Sequence, residues 1–427
     1  MKKVLLILLI SSYAYCTISL RNADRDVRLV YEELLKNYNT KLRPDYLGDS
    51  VNVLVDGTIL SFGKVDPTNM KYTVDMYFRQ RWNDCRLRHN LTEKLTIISG
   101  SDYPSNIIWT PDTFFLNSVS SIFHHVTVNN HKIDIYPNGF IFWGTRVTAS
   151  PVCNFNLASY PMDTQICDIK ISSYGLSSRH IKYKWLRNPG LRLLIKNMDQ
   201  FSILSYNTSS FYEKNDMGNE ISVLYGKFIF QRQLGFAIFE IYIPSTALVC
   251  LSWVALWMPR SCPPVRATLC VLILLTVSTI WGSINAKLPE VSYVKNIDVY
   301  MFVTFCCVIL NLLEYVVLMN LNAITETFLT KQRKKEKEEK RVSFQKNLIE
   351  MQSLQDEKKK MEPKKSVKTM SSADVKALAV VVEQHNVKMA GKLEYYARII
   401  LPLLYIIFNI YYWYTGMISY ELKRVVF

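Results

Sequence analysis

The sequence predicts a β-sandwich extracellular domain joined to a four-helix transmembrane bundle. Three observations carry that expectation. Residues 17–232 hold no apolar run of membrane length, only short alternating stretches rich in β-branched and aromatic residues. Four apolar runs come after them, from about Leu234 to Met258, Pro263 to Ala286, Val299 to Asn322 and Ile399 to Ile418. Each is close to the roughly 20 residues that cross a bilayer. Finally, Lys2-Lys3, the apolar Val4 to Ile10 and the small and polar residues up to Cys16 read as a secretory signal. The chain beyond that signal is then extracytoplasmic, where disulfides form.

The chain has 427 residues, more than one domain's worth. It divides into 1–16 as signal, 17–232 as ectodomain, 233–322 with three spans, 323–394 as a basic loop, and 395–427 with the last span and tail. In the ectodomain, 24–37 has Val27, Val30, Leu34 and Leu35 on one side of a short amphipathic helix. From Ser50 onward the alternating stretches are separated by turn signals: Asp56-Gly57, Pro137-Asn138-Gly139 and Asn188-Pro189-Gly190. Many short strands at this spacing make a sandwich. Asn90-Leu91-Thr92 and Asn207-Thr208-Ser209 match the glycosylation acceptor pattern.

The first span contains Pro244, tolerated in membranes because neighbours satisfy the freed carbonyl. Four spans put both mature termini outside. The short connection with Arg260 and Arg266, and the long one between spans three and four, then lie inside, and both are basic. The net charge of +15 therefore does not point to nucleic acid: much of it falls in Lys331 to Lys368, beside a span. Lys331 to Asp374 is predicted to be disordered, or a solvated helix at most. Val375 to Glu394 is predicted as an amphipathic helix leading into the last span.

The second span organises the chain. Thr268, Leu272, Leu275, Thr279 and Ser283 take helical steps of three and four and share a face. Hydroxyls along one stripe suit a water-filled path. Copies around an axis would make rings: Arg266 a positive mouth, Leu272 and Leu275 constrictions that gate by dewetting. The plainer alternative is a packed helix with a snorkelling arginine.

Cys250, Cys270, Cys306 and Cys307 fall in spans and Cys262 on the inner connection. Cys85, Cys153 and Cys167 remain outside. A disulfide between the last two would close a short loop, worth about 3 kcal/mol in chain entropy. Cys85 is then a free thiol or pairs between chains. No metal spacing accompanies the cysteines, and His124-His125 are strand neighbours facing opposite ways. Neither a metal nor another cofactor is expected. No nucleophile–base set and no phosphate loop appears, so an enzyme is not expected.

Cys153 to Cys167 encloses Tyr160-Pro161-Met162-Asp163. With Trp82-Asn83-Asp84, Trp109-Thr110-Pro111-Asp112, Ser252-Trp253-Val254 and the Ser283 to Asp298 region, it resembles the Cys-loop pentameric ligand-gated channels. The likeness runs from about Asp24 to Trp413, outside the long inner loop. It is nearest the chloride-conducting branch gated by GABA, glycine or glutamate.

That resemblance implies a homo- or hetero-pentamer with four further like or related subunits, a Cys153–Cys167 disulfide, a small-molecule transmitter, chloride as the permeant ion and a synaptic plasma-membrane location. The agonist site would lie between subunits. Tyr77-Phe78-Arg79-Gln80 matches the strand face, with Arg79 holding the agonist carboxylate, Tyr77 beside it and Arg146 in the next strand. Gly144 stands where serine or threonine is common. On the opposite face Phe114, Ser173 and Tyr174 match the first two loops. Ser172 replaces an acid, and the third loop, Met217 to Ile221, lacks its aromatic, leaving Phe211 and Tyr212 as substitutes. Pro264-Val265-Arg266 carries no acid, which favours anions; Leu272 stands where the branch usually has threonine, a second apolar ring beneath Leu275 that would lower conductance or slow opening.

Four readings remain: an anion channel subunit opened by an amino-acid-like transmitter, an auxiliary subunit without a complete agonist site, an amine-gated chloride channel, and a non-conducting surface assembly protein. In the first, transmitter binding passes through the Cys153–Cys167 loop and Tyr293 to Lys295 to the pore helices as a population shift.

Overall fold

The structure, a computed structural model, describes residues 27–97, 104–195, 198–258, 263–353 and 372–426. The signal segment 1–16, Arg260 and Cys262 lie outside the described residues. The chain divides into two compact units, the first ending at Gln233 and the second beginning at Leu234; Leu288–Val291 and Ser419–Phe427 group with the first.

In the first unit, residues 27–36 form a helix, α1, as their apolar side requires. Twelve strands come next among the described residues: β1 (Val51–Asp66), β2 (Lys71–Asn83), β3 (Leu95–Ile97), β4 (Thr113–Phe115), β5 (Ser118–Phe123), β6 (His131–Ile135), β7 (Phe140–Pro151), β8 (Thr164–Ser173), β9 (Ile181–Trp185), β10 (Leu191–Leu193), β11 (Phe201–Lys214) and β12 (Glu220–Arg232). One sheet runs β10-β1-β2-β7-β6-β3, with β5 on β7 and β9 on β1; the other runs β11-β12-β8-β4. Period-two patterning builds the core between them. Tyr72, Val74, Met76, Phe78, Gln80 and Trp82 of β2 are buried while the residues between them face out. Ile169, Ile171, Leu224, Phe228 and Phe230 fill the other side.

Two of the three turn signals are turns. Pro137-Asn138-Gly139 joins β6 to β7, with Gly139 at φ +80°, and Asn188-Pro189-Gly190 joins β9 to β10. Asp56-Gly57 is different: β1 runs straight through it. Gly57 is there because a Cβ would meet Leu191 Cδ2 at 2.6 Å. Asp56 is there because two arginines of β2 hold its carboxylate. Cys153 and Cys167 are bonded, with Cα atoms 5.2 Å apart, and Cys85 is a free, exposed thiol within the chain.

Among the described residues, four helices are long and apolar enough to cross a membrane. We label them α2 (Gly235–Trp257), α3 (Pro263–Ala286), α4 (Asn296–Ser353) and α5 (Ser372–Val426). Pro244 comes just after a π-helical stretch, Ile238–Tyr242, in α2. Hydroxyls of Ser245 and Thr246 donate to the carbonyls of Ile241 and Tyr242 at 2.7 Å each, so the carbonyls near the proline find donors. α4 continues unbroken past its apolar part to Ser353, so the described part of the inner loop takes the solvated-helix alternative. The Lys, Glu and Gln of that stretch are good helix formers.

Candidate functional site

The exposed face of β2 carries Asp75, Tyr77, Arg79 and Arg81, every second residue. Its neighbours are set by register. Asp56 of β1 and Gly144 of β7 flank Arg79; Thr58 and Arg146 flank Tyr77. The ladder therefore brings Tyr77, Arg79 and Arg146 together. Arg79 Nη1 donates to Asp56 Oδ2 and Thr58 Oγ1 at 2.9 Å each, and Arg81 pairs with the other Asp56 oxygen. Arg146 forks onto Asp75 through Nε (3.3 Å) and Nη2 (2.6 Å), and His124 Nε2 stands 3.6 Å from the same carboxylate. Asp56 and Asp75 are the residues that sequence reasoning missed. Alternation did place Asp75 on the same face of β2 as Arg79, but the register that sets Asp56 opposite Arg79 and Arg146 diagonal to Asp75 belongs to the ladder and not to the sequence.

Burial alone would raise the Asp75 carboxyl, but hydrogen bonds and charge from Arg146, with His124, hold it below the ordinary carboxylate value. The Arg146 guanidinium is raised in turn, mainly through its hydrogen bond to Asp75. A Cβ at Gly144 would crowd the Phe142 ring at 3.3 Å and stand 3.9 Å from Arg79 Cγ.

The aromatic set lies on the other sheet, so within one chain the two sets are not one pocket. Phe114 of β4 and Tyr174, just after β8, meet edge-on at 5.5 Å, and Tyr174 is 83% exposed. Ser173 departs from the sequence reading. It is 4% exposed; its hydroxyl donates to Asp112 Oδ1 (2.5 Å) and accepts from Leu176 N (2.9 Å). It builds the turn that presents Tyr174 and does not itself face solvent. The third loop is a regular hairpin, paired up to Lys214–Glu220, with Gly218 at φ +77° in the turn. Phe211 and Tyr212 sit on β11 as consecutive residues, so they point to opposite faces and cannot both enter one box. Phe211 packs on Tyr225, with ring centroids 5.9 Å apart.

Below the sheets, the loop closed by Cys153–Cys167 holds Asp163, which receives Arg232 in a bidentate, buried pair (Nε–Oδ1 2.6 Å, Nη2–Oδ2 3.1 Å). The Arg232 guanidinium also lies over the rings of Tyr160 and Phe201, at 4.8 and 4.5 Å. Among the described residues no group of three His, Cys, Asp or Glu is placed to hold a metal. Asn90 and Asn207 are both exposed.

On α3, Thr268, Leu272, Leu275, Thr279 and Ser283 are all exposed within the chain, Leu272 by 56% and Leu275 by 57%. Thr279 donates to Thr276 O at 2.8 Å, tucking its proton against the helix. Arg266 does not join that stripe. It is 2% exposed, on the buried side with Cys270, Ile273 and Val277, and its Nη2 donates to Glu394 Oε1 at 2.8 Å. The expectation of an arginine head without a counter-carboxylate is corrected: the acid comes from α5, 128 residues away in sequence.

Residues 27–234 match the family model of the neurotransmitter-gated ion-channel ligand binding domain, and residues 241–387 that of the neurotransmitter-gated ion-channel transmembrane region. The chain is 31% identical over 402 residues to the gamma-aminobutyric acid receptor subunit pi of Bos taurus, covering 90% of each. It is 35% identical over 301 residues to the gamma-aminobutyric acid receptor subunit beta-4 of Gallus gallus, covering 68% of this chain and 59% of that protein. A gamma-aminobutyric acid receptor subunit beta of Lymnaea stagnalis is 34% identical over 296 residues, or 66% of this chain and 59% of that protein. Matches to a ligand binding domain and to a transmembrane region, together with a relative aligned along 90% of each chain, show that this protein belongs to the neurotransmitter-gated ion channels.

Proposed function

We propose that the chain is a subunit of a pentameric anion channel opened by a small carboxylate-bearing transmitter, with gamma-aminobutyric acid the first to test. The observation that carries this reading is the Tyr77, Arg79, Arg146 shelf, where a planar guanidinium fork suits a carboxylate. Arg79 uses Nη1 on Asp56 and Thr58, which aims the rest of its fork away from β1. The agonist would lie on Tyr77 with its carboxylate on Arg79. Its amine would meet the aromatic loops of a neighbouring subunit. The absence of any acid between Arg260 and Arg266 in the sequence supports anion passage, and the exposed hydroxyl and leucine stripe of α3 supports a gated, wettable pore. Chloride is the permeant ion in this reading, and the site of action is the synaptic plasma membrane.

A second reading has its own support. Ser173 is spent on Asp112, Ser172 stands in place of an acid, and Phe211 and Tyr212 diverge. A chain with a strong strand face and a weak aromatic face fits a subunit that completes its site only with a partner. Whole-cell current during application of gamma-aminobutyric acid, glycine, glutamate and amines, with the chain alone and beside a related subunit, tests both. Current at the chloride reversal potential that is lost in Arg79→Ala supports the first reading. Current only on co-expression supports the second. Currents that ignore Arg79→Ala remove the carboxylate contact, and surface delivery without current in either setting leaves a non-conducting assembly protein.

A further inference from the structure

Where α2 ends, α3 begins and α5 passes, two arginines share one carboxylate. Arg266 Nη2 reaches Glu394 Oε1 at 2.8 Å, and Arg398 Nη2 reaches the same oxygen at 3.0 Å. Both arginines also serve the end of α2. Arg398 Nε donates to Leu256 O at 2.9 Å, and Arg266 Nη2 to Leu256 O at 3.2 Å and to Met258 O. Carbonyls in the last turn of a helix lack helical donors, and cations are favoured there. The Arg398 guanidinium lies 4.8 Å over the ring of Trp257. The three helices are thus joined through one acid.

This arrangement fixes where Arg266 can act. A helix turns about 100° per residue. Arg266, two positions before Thr268, therefore points almost opposite to the exposed stripe and lies on the buried one. A buried guanidinium needs its partner, since leaving it unpaired is strongly unfavourable. We propose that Glu394 is a positioning residue of the pore helix: it tethers the start of α3 to α5 through Arg266. Arg266 is then a strut, and its charge is not what gives the pore its ion preference. The inference deepens the channel reading and rests on it only for the arm of the test that measures current.

The experiment uses the full chain in cells, unmutated and as Glu394→Gln, Glu394→Asp, Arg266→Gln, Arg398→Gln and the Glu394→Gln/Arg266→Gln double variant. The thermal midpoint of the detergent-extracted protein is read by size-exclusion. Each neutral variant should lower it by at least about 2–4 °C. The double variant should fall by less than the sum of the two single losses, because both singles break the same Arg266–Glu394 pair. In current recordings with gamma-aminobutyric acid, Glu394→Gln should shift the half-maximal concentration about fivefold or more, or open the channel without transmitter. Glu394→Asp should restore much of the wild-type response. The reversal potential should stay unchanged in every conducting variant. Additive thermal losses overturn the tether. A reversal potential that moves with Arg266→Gln overturns the strut role. If the unmutated chain carries no current either alone or beside a related subunit, the channel reading has failed, and the thermal cycle alone decides the tether.

Discussion

Asp56 illustrates how one side chain organises the candidate ligand face. Its two oxygens hold Arg79 and Arg81, and so it aims the guanidinium that the proposed transmitter would meet. Removing the head in Arg79→Ala deletes a charge-assisted hydrogen bond worth about 1.5–3 kcal/mol. The half-maximal transmitter concentration should rise about 10- to 100-fold. Asp56→Asn should weaken the response less, because Arg79 itself stays. Concentration–response curves in cells of matched surface expression measure both. Asp163 acts differently. It is buried against Arg232, and Asp163→Asn leaves that guanidinium without its charge partner. The expected cost is about 3–5 kcal/mol, read as a lower unfolding midpoint of ectodomain tryptophan fluorescence.

Among the elements, α3 and the Cys153–Cys167 loop carry the sharpest predictions. The exposed stripe of α3 alternates hydroxyls with Leu272 and Leu275, and apolar rings resist wetting. Leu275→Ser should ease opening, lowering the half-maximal concentration or producing current at rest. Leu272→Thr should raise current amplitude without moving the reversal potential, and single-channel recording separates these effects. Cutting the disulfide by Cys153→Ser with Cys167→Ser should cost the ectodomain about 2–5 kcal/mol. Surface delivery at 37 °C, roughly the temperature at which such losses abolish folding, reports it.

For the molecule as a whole, acid sensitivity comes from carboxyls held below their ordinary value; Asp66 and Asp134 are two, and Asp75 is the one on the candidate ligand face. Its carboxyl lies below its ordinary value because Arg146 and His124 outweigh its burial. A lowered carboxyl contributes stability that is complete above the unfolded value near 4 and disappears as pH falls through the folded one. The ectodomain midpoint should therefore hold steady from about pH 7 to about pH 5 and fall below about pH 4. Asp75→Asn should start lower and fall less steeply over the same acid range.

Much of this was legible in one dimension. Two-residue alternation marked β2 and β12, 20-residue apolar runs marked α2 to α5, and the spacing of Cys153 and Cys167 marked the loop. These patterns are local, and local periodicity is what a sequence displays directly. Even the burial of Arg266 was implicit in the turn of its helix. Asp56-Gly57 misled because its residues also suit a turn, and only Leu191 and two arginines explain them in a strand. Ser173 misled because its hydroxyl partner, Asp112, lies on a different part of the chain. By itself, then, the sequence determined the two-part architecture, the number of spans and the family likeness. The tertiary structure decided which charges are spent inside the protein. Pairing across strands and between helices depends on distance in space, and Asp75–Arg146, Asp163–Arg232 and Glu394–Arg266 each join residues far apart along the chain.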